Sequence, residues 1–250
     1  MKTNKKEELW KQFFRKDYLQ FSEAILSPER TQFEIEQLIE LLKLPKTARI
    51  LDLGCGQGRI SIPLAKKGYQ VTAMDGSLTL LNEAKRVGQL EGVNINFQLG
   101  DMRSLSFVNE FDVVLNLGTA FGYLEDSSDE RIILKRVGDA LKSGGTFIQD
   151  LENRERKIRG YVHRTWDMMN GRVLRSERSF NPLTGRWREN IEWMEENTAK
   201  SAVLDVKLYS AVEIIQMTEE AGLTVQSVYG GFDWSNYDLD SVRMVIRSIK

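Results

Sequence analysis

Hydrophobic positions recur along the chain with two different periods, and the change of period divides the sequence into regions. Residues 6–27 and 31–44 carry apolar side chains at helical spacing, which predicts two helices near the N-terminus. From residue 48 to residue 151, short apolar runs alternate with helical patterns, as in parallel strands joined by helices. Residues 152–209 show closely spaced strand patterns instead. The sequence therefore predicts an α/β protein with an inserted antiparallel β-sheet.

The predicted insert follows the fifth strand of the main sheet and contains four strands. Their expected ranges are 161–168, 172–180, 186–194 and 201–209. Turn signals separate them, and the clearest is Asn170-Gly171, a dipeptide typical of two-residue hairpins. A helix from Ala211 to Ala221 and strands at Thr224–Tyr229 and Ser241–Ile249 then complete a main sheet of seven strands.

Glycines mark the expected ends of the helices that follow the first two strands. Gly68 would end a helix that begins near Arg59, and Gly88 would end a helix from Leu78 to Val87. A third strand is expected from Val93 to Leu99.

The first strand of the main sheet runs directly into three glycines at every second position. Gly54, Gly56 and Gly58 would let the backbone approach a ligand closely, beside the N-terminus of a helix. A dinucleotide-binding turn reads G-x-G-x-x-G and would need a glycine where Arg59 stands. The spacing argues against a dinucleotide cofactor. The second strand ends at Asp75, whose carboxylate can accept hydrogen bonds from both ribose hydroxyls in either cofactor class.

Five motifs in this order resemble those of class I S-adenosylmethionine-dependent methyltransferases. They are Leu51–Gly58, Asp75-Gly76-Ser77, Gly100-Asp101-Met102, Phe111–Asn116 and Leu141–Gly145. The last departs from the family's L-K-P-G-G pattern, because Ser143 stands where proline is usual. The resemblance covers about residues 48–151. It implies a doubly wound, mostly parallel, Rossmann-like sheet and S-adenosyl-L-methionine as the cofactor.

The resemblance also implies roles for individual residues. Asp75 would bind the ribose and Asp101 the adenine amino group, with Met102 packed on the adenine ring; the alternative for the last two is an ordinary polar turn with a core methionine. The expected cofactor-binding residues are Tyr18, Asp52, Gly54, Cys55, Gly56, Asp75, Gly76, Ser77, Asp101, Met102, Asn116 and Gly118.

The same resemblance suggests how the chain is divided. Residues 1–44 would form a helical lid that carries Tyr18, or would simply cover the sheet. Residues 45–151 and 210–250 would form the cofactor-binding core. Residues 152–209 would form an antiparallel subdomain that either caps the substrate or makes a dimer contact.

Methyl transfer needs positioning more than acid–base chemistry, because a sulfonium-bound methyl group is already a strong electrophile. A neutral amine acceptor requires no base, whereas an oxygen acceptor requires one. His163, the only histidine, is the candidate base, and the alternative is a hydrogen-bonded histidine on a strand. No cluster of residues has metal-ligand spacing, so no metal is expected.

The loop after the fourth strand and the insert are the expected acceptor region, since ligands bind at the carboxyl ends of strands in open α/β sheets. The candidate substrate residues are Phe121, Tyr123, Trp166 and Trp234, although the tryptophans could equally fill a small core. Nucleic-acid amino methyltransferases commonly carry [DNS]-P-P-[YF] where this chain has Asn116–Thr119, so a nucleobase acceptor is disfavoured.

Between Leu151 and Asn190, ten basic residues outnumber five acidic ones. The surplus is typical of a solvated sheet face or, alternatively, of a site for an anionic acceptor.

Composition adds three constraints. The 35 basic and 36 acidic residues give a net charge of −1, so no overall attraction to nucleic acid or anionic membranes is expected. One cysteine, Cys55, fits a reducing compartment. No signal peptide or membrane span is recognisable, which predicts a soluble, cytoplasmic protein.

Three functions stay open at this level. The favoured one is a methyltransferase that modifies a nitrogen or oxygen of a small molecule and that could form a homodimer through the inserted sheet. The second is a methyltransferase acting on RNA or protein. The third is a nucleotide-binding protein without transferase activity, or a nicotinamide-dependent oxidoreductase.

Overall fold

The computed structural model describes residues 8–169 and 171–250, apart from the side chains at positions 20, 21, 23 and 24. The helices are α1 (Leu9–Phe13), α2 (Lys16–Ile25), α3 (Pro28–Leu42), α4 (Ser61–Lys66), α5 (Leu78–Leu90), α6 (Ser127–Ala140), α7 (Arg154–Arg159) and α8 (Ala211–Glu220). The strands are β1 (Arg49–Leu53), β2 (Gln70–Asp75), β3 (Asn96–Leu99), β4 (Phe111–Asn116), β5 (Leu141–Glu152), β6 (Arg164–Met169), β7 (Arg172–Asn181), β8 (Arg186–Glu195), β9 (Thr198–Lys207), β10 (Thr224–Tyr229) and β11 (Arg243–Ile249). Within these ranges, no helix combines the length and the apolar character that a membrane crossing requires.

The main sheet has seven strands in the order β3-β2-β1-β4-β5-β11-β10. Strand β11 runs antiparallel to both β5 and β10, and the remaining neighbours are parallel. One buried cluster includes Phe147 and Leu134 of α6, and a second includes Ile148 and Leu81 of α5. Because successive residues of a strand point to opposite faces, these clusters lie on the two sides of the sheet. The structure thus confirms the predicted doubly wound, mostly parallel architecture.

The predicted insert is a separate four-stranded antiparallel sheet in the order β6-β7-β8-β9. Its strands agree with the alternation in the sequence, although β9 begins at Thr198 instead of residue 201. Gly171 of the expected hairpin turn has a φ of +74°, and Asn170 lies outside the described residues. At the end of β9, the Lys207 amide donates to the Gly122 carbonyl at 2.7 Å, which joins the insert to the loop after β4.

Two local expectations were wrong. Gly88 does not end α5 but lies buried inside it, on the side that faces the Phe97 ring. The helix continues to Leu90, and Gly92, with a φ of +66°, supplies the turn. The third strand begins at Asn96 instead of Val93, whose amide still donates to the Gly88 carbonyl. Gly88 therefore lies within the helix and does not cap it.

The N-terminal segment is also divided differently from the expected single helix over residues 6–27. Helices α1 and α2 are separated at Phe14 and Arg15, neither of which has helical dihedral angles. The carbonyl of Phe14 leaves the helix and accepts a hydrogen bond from the Ser77 hydroxyl at 2.5 Å. Residues 1–7 of the expected lid lie outside the described residues.

Candidate active site

A cleft opens at the carboxyl ends of β1 to β4 and lies beneath α1 and α2. It encloses about 1010 Å³, part of it open to solvent. The predicted residues that line it are Tyr18, Asp52, Gly54, Cys55, Gly56, Asp75, Gly76, Asp101, Met102, Gly118, Phe121 and Tyr123. Most of the residues that the sequence motifs suggested therefore meet around one cleft.

The glycine turn forms the floor of this cleft. The amides of Gly54 and Cys55 donate to the Met74 carbonyl at 2.8 and 3.1 Å, which ties the turn to β2. Gly54 has a φ of +81°, and a Cβ there would lie 2.6 Å from the Ala120 side chain and 2.7 Å from that of Met102. Only glycine fits this position, because both the dihedral angle and the space exclude a side chain.

Asp75 lies at the end of β2 and is fixed by main-chain donors. Its Oδ2 accepts from the Gly56 amide at 2.8 Å, and its Oδ1 accepts from the Ser77 amide at 2.7 Å. Burial raises the pKa of Asp75, although the amides partly offset this effect. Each oxygen retains a lone pair, so the carboxylate can still accept from two further hydroxyl groups.

Asp52 is buried behind the glycine turn. Its Oδ2 accepts a hydrogen bond from the Ser61 hydroxyl at 2.5 Å. Burial raises the pKa of Asp52 to about 6, and the Ser61 hydrogen bond limits the rise. Near pH 6, Asp52 is therefore still partly protonated, whereas an ordinary aspartate is ionised.

The loop after β3 carries Asp101 and Met102, and one arginine organises it. Arg103 donates to both carboxylate oxygens of Asp101, and it also pairs with Glu8 at 2.9 Å and Asp129 at 2.7 Å. Burial alone would raise the pKa of Asp101, but the bonds from Arg103 lower it. Asp101 is therefore held as an ionised acceptor at the rim of the cleft.

Trp10 of α1 is a cleft residue that sequence reasoning missed. Its indole packs so closely on Gly76 that a Cβ there would be 2.6 Å from the ring. Its Nε1 is buried and has no hydrogen-bond partner among the described residues. Trp10 precedes Phe13 by three residues and Phe14 by four. This helical spacing of apolar residues is the signal that could have identified it.

The helices α1 and α2 are attached to the core around the cleft. Gln57 donates to the Ser22 hydroxyl at 2.8 Å, and the rings of Phe14 and Tyr123 meet edge to face with 5.1 Å between centroids. Burial raises the pKa values of Tyr18 and Tyr123, and no hydrogen bond joins either hydroxyl to a described residue. The cleft thus has an aromatic roof with two phenols that keep their protons.

Two predicted cofactor residues lie behind the cleft wall instead of lining it. The Ser77 hydroxyl accepts from the Leu80 amide, which caps α5, and donates to Phe14. Asn116 donates from Nδ2 to the Leu53 carbonyl at 2.8 Å, and its Oδ1 is buried without a partner in the described parts of the chain. Both side chains position the main chain that forms the site.

A buried ion-pair network that the sequence did not reveal holds the loop after β4. Asp150 accepts from the Gly118 amide at 2.8 Å and from Arg243 Nε at 2.7 Å. Arg243 also donates to the Thr119 hydroxyl at 2.7 Å and to Glu152 at 2.8 Å. Thr119 has a φ of +59°, in the left-handed region that is unfavourable for a β-branched residue. The network therefore keeps this loop in a conformation that its own sequence disfavours.

Three other candidates lie away from the cleft. His163 is exposed at the start of the insert, where its ring contacts the Arg178 carbonyl at 2.8 Å and Glu177 at 3.3 Å. Trp166 is 64% exposed on the outer face of the insert. Trp234 packs against Tyr229 and Phe232. In the described ranges, no group of three His, Cys, Asp or Glu side chains is arranged to hold a metal ion.

The fold and the cleft together define a class I methyltransferase domain. Residues 50–145 match the family model described as a methyltransferase domain, which confirms the resemblance seen in the motifs. The similarity to that family covers this part of the chain.

Two curated relatives illustrate its sequence similarity. The ubiquinone biosynthesis O-methyltransferase of Coxiella burnetii is 34% identical over 139 residues, which cover 55% of this chain and 56% of that protein. The glycine/sarcosine N-methyltransferase of Parasynechococcus marenigrum is 32% identical over 133 residues, or 52% of this chain and 47% of that protein. The chain thus spans about half the length of the curated relatives it matches.

Solved structures resemble the chain over nearly its whole length. An S-adenosylmethionine-dependent methyltransferase from Clostridium acetobutylicum has a TM-score of 0.81 at 19% identity, and the match covers 94% of this chain and 97% of that one. CalS10, an amino pentose methyltransferase from Micromonospora echinaspora, has a TM-score of 0.72 at 20% identity, with 93% and 96% covered. At these identities the likeness establishes the fold, including the insert within the matched length.

Proposed function

We propose that the protein is an S-adenosylmethionine-dependent methyltransferase that modifies a nitrogen or oxygen atom of a small molecule. The observation that carries the proposal is the position of Asp75, held by the amides of Gly56 and Ser77 and facing the cleft. When bound, the cofactor supplies an electrophilic methyl group on a positively charged sulfur.

The residues of the cleft fit such a cofactor. Asp75 would accept from the ribose hydroxyls, and Asp101 would accept from the adenine amino group, between the apolar side chains of Trp10 and Met102. Gly54 would leave room for the ligand at the floor. Arg59 stands where a dinucleotide turn needs glycine, and its side chain is bonded to buried Glu34 at 2.5 Å. This position supports S-adenosylmethionine over a dinucleotide as the cofactor.

The acceptor end of the cleft favours a neutral amine as the nucleophile. The lining carboxylates already have partners: Asp52 binds Ser61, Asp75 binds main-chain amides, Asp101 binds Arg103 and Glu130 binds Tyr209. The phenols of Tyr18 and Tyr123 have raised pKa values, so they act as hydrogen-bonding groups and not as bases. An amine needs only to be held in line with the methyl group, and the proton it loses afterwards can pass to solvent.

The names of similar proteins include both nitrogen and oxygen methyltransferases. CalS10 is described as an amino pentose methyltransferase, and one curated relative is a glycine/sarcosine N-methyltransferase. Another relative is an O-methyltransferase. We therefore propose nitrogen as the preferred accepting atom and oxygen as the alternative.

Calorimetric titration and a methyl-transfer assay test the proposal. S-adenosylmethionine and its demethylated product should bind at one site, while NAD should not. Transfer of labelled methyl groups should be observed with a panel of small primary and secondary amines and should be weaker with matched alcohols and phenols. Binding of NAD without binding of S-adenosylmethionine would reject the methyltransferase, whereas transfer to phenols alone would reject only the preference for nitrogen.

We further propose that α1 and α2 act as a lid over the cofactor and that residues 152–209 cap the acceptor. Contacts of Phe14 with Tyr123 and of Lys207 with Gly122 support these roles.

A cytoplasmic location is part of the proposal, supported by the single, buried Cys55. Cell fractionation tests it, because recovery of the protein outside the cytoplasm would contradict it.

A homodimer through the insert is the remaining part of the proposal. Trp166, Met168, Val173 and Met194 share the outer face of the sheet and are between 55% and 71% exposed. Apolar patches of this kind often mark protein contacts. Sedimentation analysis should show a dimer that Trp166→Ser weakens, and a wild-type monomer at every concentration would exclude it.

A further inference from the structure

Three aromatic side chains, here called the aromatic roof, cover the cleft and touch one another. Phe14 follows α1, Tyr18 lies on α2 and Tyr123 lies in the loop after β4. The centroid of the Phe14 ring is 4.8 Å from that of Tyr18 and 5.1 Å from that of Tyr123. All three side chains line the cleft and are half-buried. The roof therefore presents aromatic surface that a ligand in the cleft can touch.

The main chain around the roof is fixed without any ligand. The Phe14 carbonyl accepts from the Ser77 hydroxyl at 2.5 Å. On one side of Tyr123, the Gly122 carbonyl accepts from the Lys207 amide at 2.7 Å, and on the other side the Leu124 carbonyl accepts from Arg186 at 2.8 Å. Because these bonds already hold the segments that carry two of the rings, a ligand pays little to order them.

The roof reaches from one end of the cleft to the other. Burial is the main cause of the raised pKa of both phenols. Asp75 adds to the rise in the pKa of Tyr18, and Glu152 adds to the rise in that of Tyr123. Tyr18 thus belongs to the end where Asp75 lies, and Tyr123 belongs to the end beside the loop after β4.

The walls of the cleft carry more negative than positive charge. The charged side chains that line it, within the described ranges, are Asp52, Asp75, Asp101, Glu130 and Arg59. Arg103 neutralises Asp101, and Arg59 is itself bonded to Glu34. The other three carboxylates accept only from hydroxyl or amide groups in the part of the chain that the structure describes. The surplus favours a cationic ligand over an anionic one.

Methyl transfer to an amine produces such a cation. The nitrogen lone pair forms the new N–C bond while the C–S bond breaks and its electron pair stays on sulfur, which leaves an ammonium ion and a neutral thioether. An aromatic face attracts an alkylated ammonium ion through the carbons next to nitrogen, over which the charge is spread. Replacing N–H by N–CH₃ therefore costs the roof no hydrogen bond.

We propose that the aromatic roof binds an alkylated ammonium group and that the acceptor is an amine that is methylated more than once. After the first transfer, the ammonium ion loses its proton to solvent, and the resulting secondary amine takes the methyl group of a second S-adenosylmethionine in the same way. The assignment to the acceptor rests on the proposed function, whereas the cation site itself does not.

Two small molecules of the same shape test the cation site by calorimetric titration. Choline carries a quaternary nitrogen, and dimethylbutanol is the uncharged alcohol in which carbon replaces that nitrogen. A pocket that is merely apolar must favour the alcohol, because burying a charge costs free energy. The wild-type protein should bind choline at least as tightly as dimethylbutanol. Tighter binding of the alcohol would overturn the proposal.

Variants of one ring separate its face from its hydroxyl group. Tyr123→Leu should lower the ratio of choline affinity to dimethylbutanol affinity by about threefold or more. Tyr123→Phe keeps the ring and should keep the ratio within about twofold of the wild type. An unchanged ratio in Tyr123→Leu, or an equal fall in both variants, would show that the ring face does not bind the cation.

A second pair of variants covers the case in which Tyr123→Leu does not fold. Phe14→Leu should also lower the affinity ratio, because it removes another ring of the roof. Phe33→Leu is the matched control, since Phe33 is 46% exposed on α3 and does not line the cleft. Equal ratios in these two variants would exclude Phe14 from the cation site.

The same titrations with the demethylated cofactor product bound distinguish acceptor from cofactor. Choline should still bind, because the acceptor nitrogen and the cofactor occupy the cleft together. Competition between the two would assign the rings to the sulfonium group and overturn the acceptor assignment. Mass spectrometry of the products from primary amines should show dimethylated species, and products with a single methyl group only would overturn repeated methylation.

The proposed function fails in a different way. Choline preference without any binding of S-adenosylmethionine would reject the methyltransferase and leave the cation site. Binding of S-adenosylmethionine without choline preference would reject only the role of the aromatic roof.

Discussion

At the Asp75 end of the cleft, proposed to bind the cofactor, main-chain amides fix the central carboxylate, whereas at the proposed acceptor end side chains from distant segments fix the loop after β4. Asp75 is held by the amides of Gly56 and Ser77 within one turn of the sheet. The loop at the other end depends on Arg243, which lies 93 residues after its partner Asp150. The first arrangement follows from strand register and local sequence, and the second requires the whole chain to be folded.

This difference predicts which changes affect binding and which affect folding. Removal of a side chain at the cofactor end should cost ligand affinity, because the surrounding main chain remains bonded within the sheet. Removal of a side chain from the buried network should loosen the loop and lower the stability of the protein. The following variants test this distinction.

Asp75→Ala should have the largest effect on the cofactor. Loss of hydrogen bonds to two hydroxyl groups, at about 1.5–3 kcal/mol each, should weaken S-adenosylmethionine binding by about 100-fold or more. Calorimetry measures the change. Asp238→Ala is the control, because this carboxylate also accepts a main-chain amide, from Asp240 at 2.8 Å, but lies outside the cleft. Wild-type affinity in Asp75→Ala would show that the ribose assignment is wrong.

Arg243→Gln should mainly affect stability at the acceptor end. Removing one partner of a buried ion pair typically costs about 3–5 kcal/mol, because the remaining charge is left uncompensated. Urea unfolding should show this loss, and hydrogen exchange should be faster at the amides of Gly118 and Thr119.

Arg188→Gln provides the matched surface change for that experiment. Arg188 pairs with Asp205 at 3.3 Å and is half exposed, so its loss should cost less than about 1 kcal/mol. Equal stability losses in the two variants would show that the buried network does not hold the loop.

Asp52 should make the stability of the cofactor end depend on pH. Its pKa is about 6 in the folded protein against an ordinary 3.8, so the folded state binds the proton more tightly than the unfolded chain. Its contribution to the free energy of unfolding is therefore complete below about pH 4 and is lost as the pH rises to about 6. The loss should be up to about 3 kcal/mol, because one pKa unit corresponds to about 1.4 kcal/mol.

Urea unfolding between pH 4 and pH 7 measures this dependence. Asp52→Asn cannot titrate, so its stability should fall less than that of the wild type across the window. Parallel pH profiles of the two proteins would argue against a raised pKa at Asp52.

Phe14→Ala should have the smallest effect. Its ring contact with Tyr123 closes the roof of the cleft, and an aromatic pair contributes about 0.5–1.5 kcal/mol. Dissociation of S-adenosylmethionine, followed by stopped flow, should accelerate by about twofold to tenfold. Phe33→Ala, at a position 46% exposed on α3, should leave the rate unchanged. If both variants release the cofactor at the wild-type rate, α1 and α2 do not act as a lid.

The sequence predicted which residues meet at the Asp75 end of the cleft because the determinants of that end are local. The glycines of the first turn, Asp75 and Asp101 each follow a strand, and strand ends on one edge of a parallel sheet necessarily meet. Gly88 was misassigned because a second glycine, Gly92, follows four residues later, and the pattern alone does not show which of the two provides the turn.

The acceptor end could be predicted only in outline. Alternation in residues 152–209 was sufficient to predict four strands, but not which side chains face the cleft. His163 and Trp166 were chosen for their chemistry, and the structure places both on exposed parts of the insert. The partnership of Arg243 with Asp150 gives no signal in a single sequence, because an arginine in an apolar strand indicates only that a partner is needed.

The hydrogen bond between Lys207 and Gly122 has a mechanical consequence. A Cβ on Gly122 would lie 2.6 Å from the Lys207 carbonyl oxygen. The main chains of the two segments therefore touch without an intervening side chain. Any tilt of the insert is then transmitted directly to the segment that follows Gly118. The insert and the loop after β4 are therefore joined main chain to main chain at this point.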